Sequence, residues 1–545
     1  MTRNNRILGI ILAGMAAAGC SSASKMAEMY ENVKVECDPE VLEVIAGNID
    51  AVVTVTYPAD YFHPKAILEV TPVLVYEDGE DEMRTIVYQG DKVKDNFKAV
   101  SSDGQTVKER IHFDYVEGME QAHLELRPVV TYGAKTYTVP ARKIADGCNT
   151  TYMLVESAPR VEYKKDNYQE IIRQTEEGQI LYGINSSTVS NNQLKSQSIK
   201  DFQAALDEIK ANERKTLVGT EVIAYASPDG GEKLNTKLSD KRSETADKAF
   251  GTVTKGKDVA QTSVKSMGQD WEGFQELVAK SDIEDKDLIL RVLNMYSDPA
   301  VRESEIKNIS EIYTSLKKSV LPELRRARFI ANVEYQNFTA DELMEQIETN
   351  MDVLDEEALL RAATLVKEND KKVSIYKKAV DKFGSDRARF NLGVTYLNDG
   401  KVERAEKAFK EVKTEDADLL NAQGAVAMAK GDYKTASSLF KKSGTSSAKN
   451  NQAVVDILTG NYEAAAAALD GQTGFNAALA QLLVNKVDKA DKALTCNCAR
   501  SNYLRAIIAA RKGDASGVSK YLDIAKENKT FAERAEKDVE FAQYR

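Results

Sequence analysis

The feature that most narrows what this chain can fold into is a repeat in its last third. Laying Gly393, Tyr396, Ala405 and Phe409 over Gly424, Ala427, Ala436 and Phe440 aligns them at an offset of 31 residues. Gly460-Asn461-Tyr462-Glu463 echoes Gly431-Asp432-Tyr433-Lys434, and Lys512-Gly513-Asp514 repeats the motif near the C-terminus. A small residue in one helix, a glycine turn, then alanine and a large apolar residue four apart in a second helix describe a helical hairpin. One hairpin cannot bury its own apolar face, so hairpins at a fixed period must stack into a solenoid. Almost no strand signal follows residue 340, and the pattern predicts an all-α region over residues 345–545.

A chain of 545 residues is too long for one core, so the repeats must be joined by further domains. Residues 30–165 read as all-β. Ala51-Val52-Val53-Thr54-Val55-Thr56-Tyr57 is rich in β-branched residues, and Ile111-His112-Phe113-Asp114-Tyr115 and Leu124-Glu125-Leu126-Arg127 alternate apolar with polar. Turn signals at Glu80-Asp81 and Tyr132-Gly133-Ala134-Lys135 separate such runs, which favours a β-sandwich. His112 and His123, paired across a hairpin near Glu117-Gly118 and joined by Glu125, would offer metal ligands. The plainer reading is polar residues on neighbouring strands, and no metal or other cofactor is expected.

Residues 170–338 change to an α/β pattern. Gln179–Ile184 reads as a strand, Ser198 as the cap of a helix carrying Ile199, Phe202, Leu206 and Ile209, and Leu217–Ala226 as the next strand. A second helix is expected to start near Ser239, and Arg325-Arg326-Ala327-Arg328-Phe329-Ile330 to form a late basic strand.

At the N-terminus, Arg3 and Arg6 precede the apolar run Ile7–Ala18, which is too short to span a bilayer and has the form of a secretion signal. Its end, Ala17-Ala18-Gly19-Cys20, resembles the lipobox of bacterial lipoproteins, although such sequences prefer leucine where Ala17 stands. The resemblance implies a signal peptide over residues 1–19, acylation of Cys20, and a tether over residues 20–29 leading from outer-membrane lipid. Removing Arg3 and Arg6 takes the formal charge from −11 to −13, which argues against nucleic acid as a partner. The acidic cluster that marks surface-exposed lipoproteins of the Bacteroidota type this chain resembles is missing after Cys20, so the resemblance implies a periplasm-facing chain. Four cysteines remain. Cys37 and Cys148 bracket the β segment, and a disulfide closing that loop of about 110 residues would add roughly 4–5 kcal/mol. Cys496 and Cys498, with no histidine nearby, read as two half-buried helix residues.

Two resemblances bear on function. The hairpin repeats are similar to tetratricopeptide repeats, though shorter than the usual 34-residue period. Gly183-Ile184-Asn185-Ser186-Ser187 and Leu234-Asn235-x-x-Leu238-Ser239-x-x-Arg242 resemble the OmpA-like peptidoglycan-binding domain, and Gln269-Asp270-Trp271-Glu272-Gly273 lies in an insertion like those of Bacteroidota members. That resemblance implies a ligand, the zwitterionic diaminopimelate of the peptidoglycan stem. With Ser239 as a helix cap, Arg242 would sit in the first turn and grip its carboxylate. Here Ser227 stands where the family has its loop aspartate, and Asp229 is the nearest substitute; Asn235 and Asn185 complete the candidate site. No nucleophile elbow, phosphate loop or zinc signature favours an enzyme. The expectation is a non-enzymatic envelope scaffold, wall-facing through its middle domain and docking an envelope protein in the repeat groove. The alternative is an accessory lipoprotein for assembly or secretion of surface or fimbrial proteins without wall contact, with a surface adhesin behind it.

Overall fold

The computed structural model describes residues 22–259, 261–283, 286–308 and 310–545. The signal peptide read at residues 1–19 and the lipidation site Cys20 lie outside the described residues. The chain divides into two compact units: residues up to Lys164 with Arg389–Arg545, and Lys165–Ala388. The β-rich segment and most of the repeats therefore share one unit, while the α/β segment and the first helices after it form the other. No helix among the described residues is long and apolar enough to cross a membrane.

In the first unit the tether read at residues 20–29 is largely helical, Ser22–Glu28, because Met26 is fully buried and pins it to the body. Eleven strands follow: β1 (Lys34–Asp38), β2 (Val41–Ile45), β3 (Asn48–Tyr57), β4 (Ile67–Tyr76), β5 (Gly79–Glu82), β6 (Ile86–Gly90), β7 (Lys98–Val100), β8 (Gln105–Asp114), β9 (His123–Tyr132), β10 (Lys135–Thr138) and β11 (Arg142–Asn149). Alternate residues of β3 and β9 are buried, among them Val53, Val55, Leu124, Leu126 and Val130, as a half-buried strand requires. Each such side chain contributes roughly 1.5–3 kcal/mol on burial. The expected sandwich of separate sheets becomes one hydrogen-bonded network, since β2 pairs antiparallel with β3 and parallel with β11 and so joins the two ladders. The turn expected at Tyr132–Lys135 links β9 to β10, whereas Glu80-Asp81 falls inside β5.

Five helical hairpins follow, the first beginning just before the unit boundary at Ala388: Asp386–Asn398 with Val402–Lys410, Ala417–Ala429 with Tyr433–Ser443, Ser446–Leu458 with Tyr462–Ala468, Phe475–Leu483 with Val487–Ala493, and Ala499–Arg511 with Ala515–Ala525; the helix Lys529–Lys537 and a 3₁₀ segment, Val539–Tyr544, complete the unit. Their turns hold Gly400, Gly431, Gly460, Asn485 and Gly513 at φ between +56° and +79°, a left-handed backbone that favours glycine. Gly393 and Gly424 are fixed by a different constraint. A Cβ on either would lie 2.5 Å from the Phe409 ring or 2.6 Å from the Phe440 ring, so the glycine–phenylalanine pairing is a close helix approach. One apolar core runs from β-segment residues such as Leu42 and Cys148 into the later hairpins, through Ile457, Leu479 and Tyr503 to Phe541.

The second unit is built on a four-stranded sheet in the order β12 (Ile171–Leu181), β15 (Arg326–Gln336), β13 (Lys215–Ala226), β14 (Thr262–Gln269). Only the β13–β14 pair is parallel. The helices Gln197–Ala211 and Glu232–Val253 bury Phe202 and Phe250 against Ile180, Val222 and Phe329. Two boundaries differ from expectation. The first helix is capped by Ser196, while Ser198 Oγ instead accepts a hydrogen bond from the Gln179 N–H. The second begins at Glu232, immediately after Gly230-Gly231, and not near Ser239.

Candidate functional site

The loop Ser227–Gly231 leaves β13 and enters the helix Glu232–Val253. Asn235 folds it back, its Nδ2 donating to the carbonyls of Ser227 at 3.0 Å and Gly230 at 2.6 Å. Three residues of the quoted motif, Asn235, Ser239 and Arg242, recur at helical spacing and are all buried. The expected roles of two of them are corrected by the helix start. Ser239 is no cap, and Arg242 lies mid-helix, where every backbone N–H is already used.

Arg242 is completely buried. Its Nε donates to the Ser186 carbonyl at 2.9 Å, Nη1 to Tyr225 at 2.9 Å and Nη2 to Gly183 at 3.2 Å, and the guanidinium lies 4.9 Å from the Tyr182 ring centroid. Burial lowers its pKa to about 10; Tyr182 opposes the shift, the Arg325 cation adds to it, and Asp229 opposes it. Asp229 turns to other partners: it accepts from the Ser227 hydroxyl and from Arg325 Nη2, the latter at 3.1 Å. Asn185 sits exposed in the turn that Arg242 holds, at φ +53°. The structure thus gathers Arg242, Asp229, Ser227 and Asn235 at one end of the sheet, but the guanidinium ties backbone segments together and does not open onto solvent. Asp270 is likewise structural. It caps the helix Trp271–Lys280 through the Gly273 N–H at 2.9 Å and pairs with Arg326 at 2.8 Å.

A second arrangement, in the first unit, was not foreseen. After a 3₁₀ turn at Thr151–Leu154 the chain runs without regular structure along the first helices of the hairpins. At every fourth residue an asparagine side chain pairs with both backbone groups of one residue. Asn476 accepts from the Glu156 N–H at 2.8 Å and donates to its carbonyl at 2.9 Å. Asn451 does the same for Arg160 at 2.8 and 2.9 Å, and Asn391 for Lys164 at 2.7 and 2.9 Å. Asn421 adds a second donor to the Arg160 carbonyl at 2.9 Å and accepts from Asn451 at 3.0 Å. Asn391, Asn421 and Asn451 are buried, a costly place for an amide unless each polar atom is served.

The two ends of this strap are held by charge. Glu156 pairs with Arg500 at 3.1 Å. Lys164 reaches Asp416 at 2.7 Å and also Asp418, and lies 5.1 Å from the Phe390 ring centroid. Burial works against its charge, but the two aspartates outweigh it and hold its pKa above the ordinary lysine value. A cavity of about 610 Å³ flanks the strap, which lines it with residues 155–160, and Gln472, Thr473 and Phe475 of the hairpins line it as well. The partner groove expected on the repeats is therefore already occupied by the chain itself. The sequence held one signal for it, the 30-residue spacing of Asn391, Asn421 and Asn451.

The remaining candidates are also relocated. Cys37 and Cys148 are both buried and free, so the expected disulfide is not formed. Cys37 faces Val53 across the β1–β3 ladder and Cys148 faces Leu42 on β2, and no ladder places them opposite one another. Burial raises their pKa values to about 11 and about 12. Cys496 and Cys498 are exposed rather than half-buried. Cys498 precedes the helix Ala499–Arg511, and although its partial burial acts upward, hydrogen bonding with Cys496 and Ser501 brings its pKa down to about 7. The hairpin proposed for His112 and His123 does not exist, because β8 pairs with β3 and β9 with β4, β10 and β11. His112 contacts Asp50 at 2.9 Å and His123 contacts Glu125 at 3.5 Å.

No family model matches the sequence, and no curated protein matches it. Among solved structures, the chain is similar to a tetratricopeptide repeat protein from Parabacteroides merdae, at 14% identity and TM-score 0.29, over 37% of this chain and 91% of that one. It is also similar to yeast Tom70, at 10% identity and TM-score 0.26, over 63% and 86% of the two chains. A third is YrrB, described as a tetratricopeptide repeat protein with an unusual peptide-binding site, at 18% identity and TM-score 0.21, over 36% and 100%.

Proposed function

We propose that this chain is a non-enzymatic scaffold lipoprotein of a Gram-negative outer membrane, anchored by acylated Cys20 and facing the periplasm, that grips extended polypeptide and acts in protein assembly or secretion without binding peptidoglycan. The observation that carries this reading is the paired use of Asn391, Asn451 and Asn476 on the N–H and C=O of single residues. An amide that offers one donor and one acceptor matches any extended residue except proline, whatever its side chain. Residues 170–338 are proposed to be an OmpA-like domain retained as a framework. Support comes from the burial of Asn235, Ser239 and Arg242 and from the three carbonyls that occupy Arg242.

Sedimentation of the mature chain with isolated sacculi, beside fractionation of cells carrying Cys20→Ala, tests both halves. The expected result is a chain that stays in the supernatant, and an outer-membrane pool that moves to the soluble periplasm in the variant. Co-sedimentation that is abolished by Asp229→Asn would restore wall binding and overturn this reading.

A further inference from the structure

The cysteines of the first unit are of two kinds, and packing accounts for only one. Cys37 and Cys148 are buried in the core that the sheet shares with the hairpins. Cys496 and Cys498 are exposed and two positions apart, on the turn between the helices Val487–Ala493 and Ala499–Arg511. The turn is built to keep the two sulfurs together. Asn502 is completely buried, and its Nδ2 reaches the Asn497 carbonyl at 3.2 Å, the Asn497 side-chain oxygen at 3.1 Å and the Cys498 carbonyl at 3.1 Å, which fixes the residue between the cysteines. The Cys498 N–H donates to Cys496 Sγ at 3.2 Å and so folds the first side chain back over the second residue. Cys498 stands at the N-cap of a 13-residue helix, where the free N–H groups of the first turn favour negative charge. Its thiol donates to the buried Ser501 hydroxyl at 3.4 Å, and once ionised it accepts from the same hydroxyl. Among the described residues no group of three or more His, Cys, Asp and Glu side chains gathers, so the pair lacks the further ligands that a zinc site needs.

We propose that Cys496 and Cys498 form a thiol–disulfide exchange site, in which Cys498 attacks an accessible disulfide of a polypeptide or small molecule and Cys496 resolves the mixed disulfide. In the first step the Cys498 thiolate forms an S–S bond to one sulfur of the target, and the other target sulfur leaves as a thiolate. In the second, Cys496 gives its proton to solvent and attacks Cys498 Sγ; the Cys496–Cys498 bond forms, the bond to the target breaks, and the second target thiolate leaves. The pair is oxidised by two electrons, the target disulfide is reduced, and the two protons lost by the pair go to the two target thiolates. The roles of the two sulfurs follow from the helix, because Cys498 has the first-turn N–H groups and Ser501 behind it. Its pKa of about 7 lies near ambient pH, where an attacking sulfur is both ionised and still nucleophilic. The exchange is stoichiometric, one disulfide per chain, so it adds a reaction to the scaffold reading without resting on it.

The test uses the full chain carrying Cys20→Ala, which has no thiol at its N-terminus. It is mixed with oxidised glutathione or with a disulfide-linked peptide dimer, quenched in acid, and mapped by mass spectrometry on the tryptic peptide 493–500. The expected result is loss of two hydrogens from that peptide with no lasting adduct, while Cys37 and Cys148 stay unmodified. Cys496→Ser should keep a lasting adduct on Cys498. Cys498→Ser should form its adduct on Cys496 at least threefold more slowly at pH 6. A synthetic peptide 493–500, which has the sequence without the helix, should also react at least threefold more slowly than the folded chain at that pH. Both substitutions change exposed side chains, and thermal melts establish that each variant is folded. The faster of the two reagents identifies a polypeptide or a small molecule as the target. A lasting adduct on the wild-type pair overturns the proposal, because Cys496 then resolves nothing. Equal rates for chain and synthetic peptide overturn it too, since the fold would contribute nothing, and so does a folded chain that leaves both reagents untouched.

Discussion

Arg242 and the asparagine row both set a buried polar side chain against backbone, and they do opposite things with it. The guanidinium has five N–H donors and no acceptor, so it collects carbonyls from several places: Gly183 and Ser186 in one loop, Tyr225 at the end of β13. The amide has both polarities, so Asn451 satisfies the two backbone groups of one residue and leaves its side chain free to vary. The cation therefore knots several backbone positions together, whereas the amides hold one extended segment residue by residue. Burial alone does not mark a binding site; what matters is whether the partner groups belong to one contiguous segment.

Cysteine labelling separates the two cases most widely, because Cys37, Cys148, Cys496 and Cys498 all lie in the unit that carries the strap. At pH 7 about half of Cys498 is thiolate, against about one Cys37 in 10⁴, so alkylation of native chain should favour Cys498 by roughly 10³-fold or more. The Cys498 rate should rise with pH through about 7 and then level off. Variants that loosen the strap unit should bring Cys37 and Cys148 into reach, while Arg242 variants should not. Mass-mapped iodoacetamide labelling reads this, and equal exposure in both sets would erase the distinction.

Next in size is Arg242→Met. It keeps the side-chain volume but strands three carbonyls, and should cost the second unit about 3 kcal/mol or more in urea unfolding. A loss below about 1 kcal/mol would mean the guanidinium is free for a ligand after all. Asn451→Ala should cost roughly 1–3 kcal/mol, since the Arg160 N–H loses its acceptor, and Asn421→Ala less, since the Arg160 carbonyl keeps Asn451. The reverse ranking in paired thermal melts would contradict the geometry. Smallest is Arg500→Gln, whose half-exposed pair with Glu156 should contribute no more than about 1 kcal/mol, diminishing in salt.

How much was legible in the sequence varies with the range of the interaction. The hairpin period was visible because each turn repeats a local demand for left-handed backbone and each Gly393-type residue faces its own ring sixteen positions on. Strand β3 was visible through its β-branched run, and β8 and β9 through alternation. The helix start at Glu232 was misplaced because Ser239 with Arg242 looks like a cap with its ligand site, while Gly230-Gly231 is the real break. The strap was illegible by periodicity. Residues 155–164 contain a proline and alternating charges, and their partners lie more than 200 positions away. Only the asparagine interval betrayed it, and a one-residue drift against the 31-residue register of Gly393 and Gly424 concealed that.

The shared core of the first unit has a consequence for biosynthesis. Strand β11 leaves the ribosome about 390 residues before the C-terminal 3₁₀ segment Val539–Tyr544 that packs on it, which at about 5–20 residues per second is a wait of roughly 20–80 s. Throughout that interval the β11 end of the nascent sheet shows any chaperone a surface with no lid. A stop codon ahead of the hairpins would leave that surface bare for good, so shortened products should be recognised and destroyed as unfinished protein.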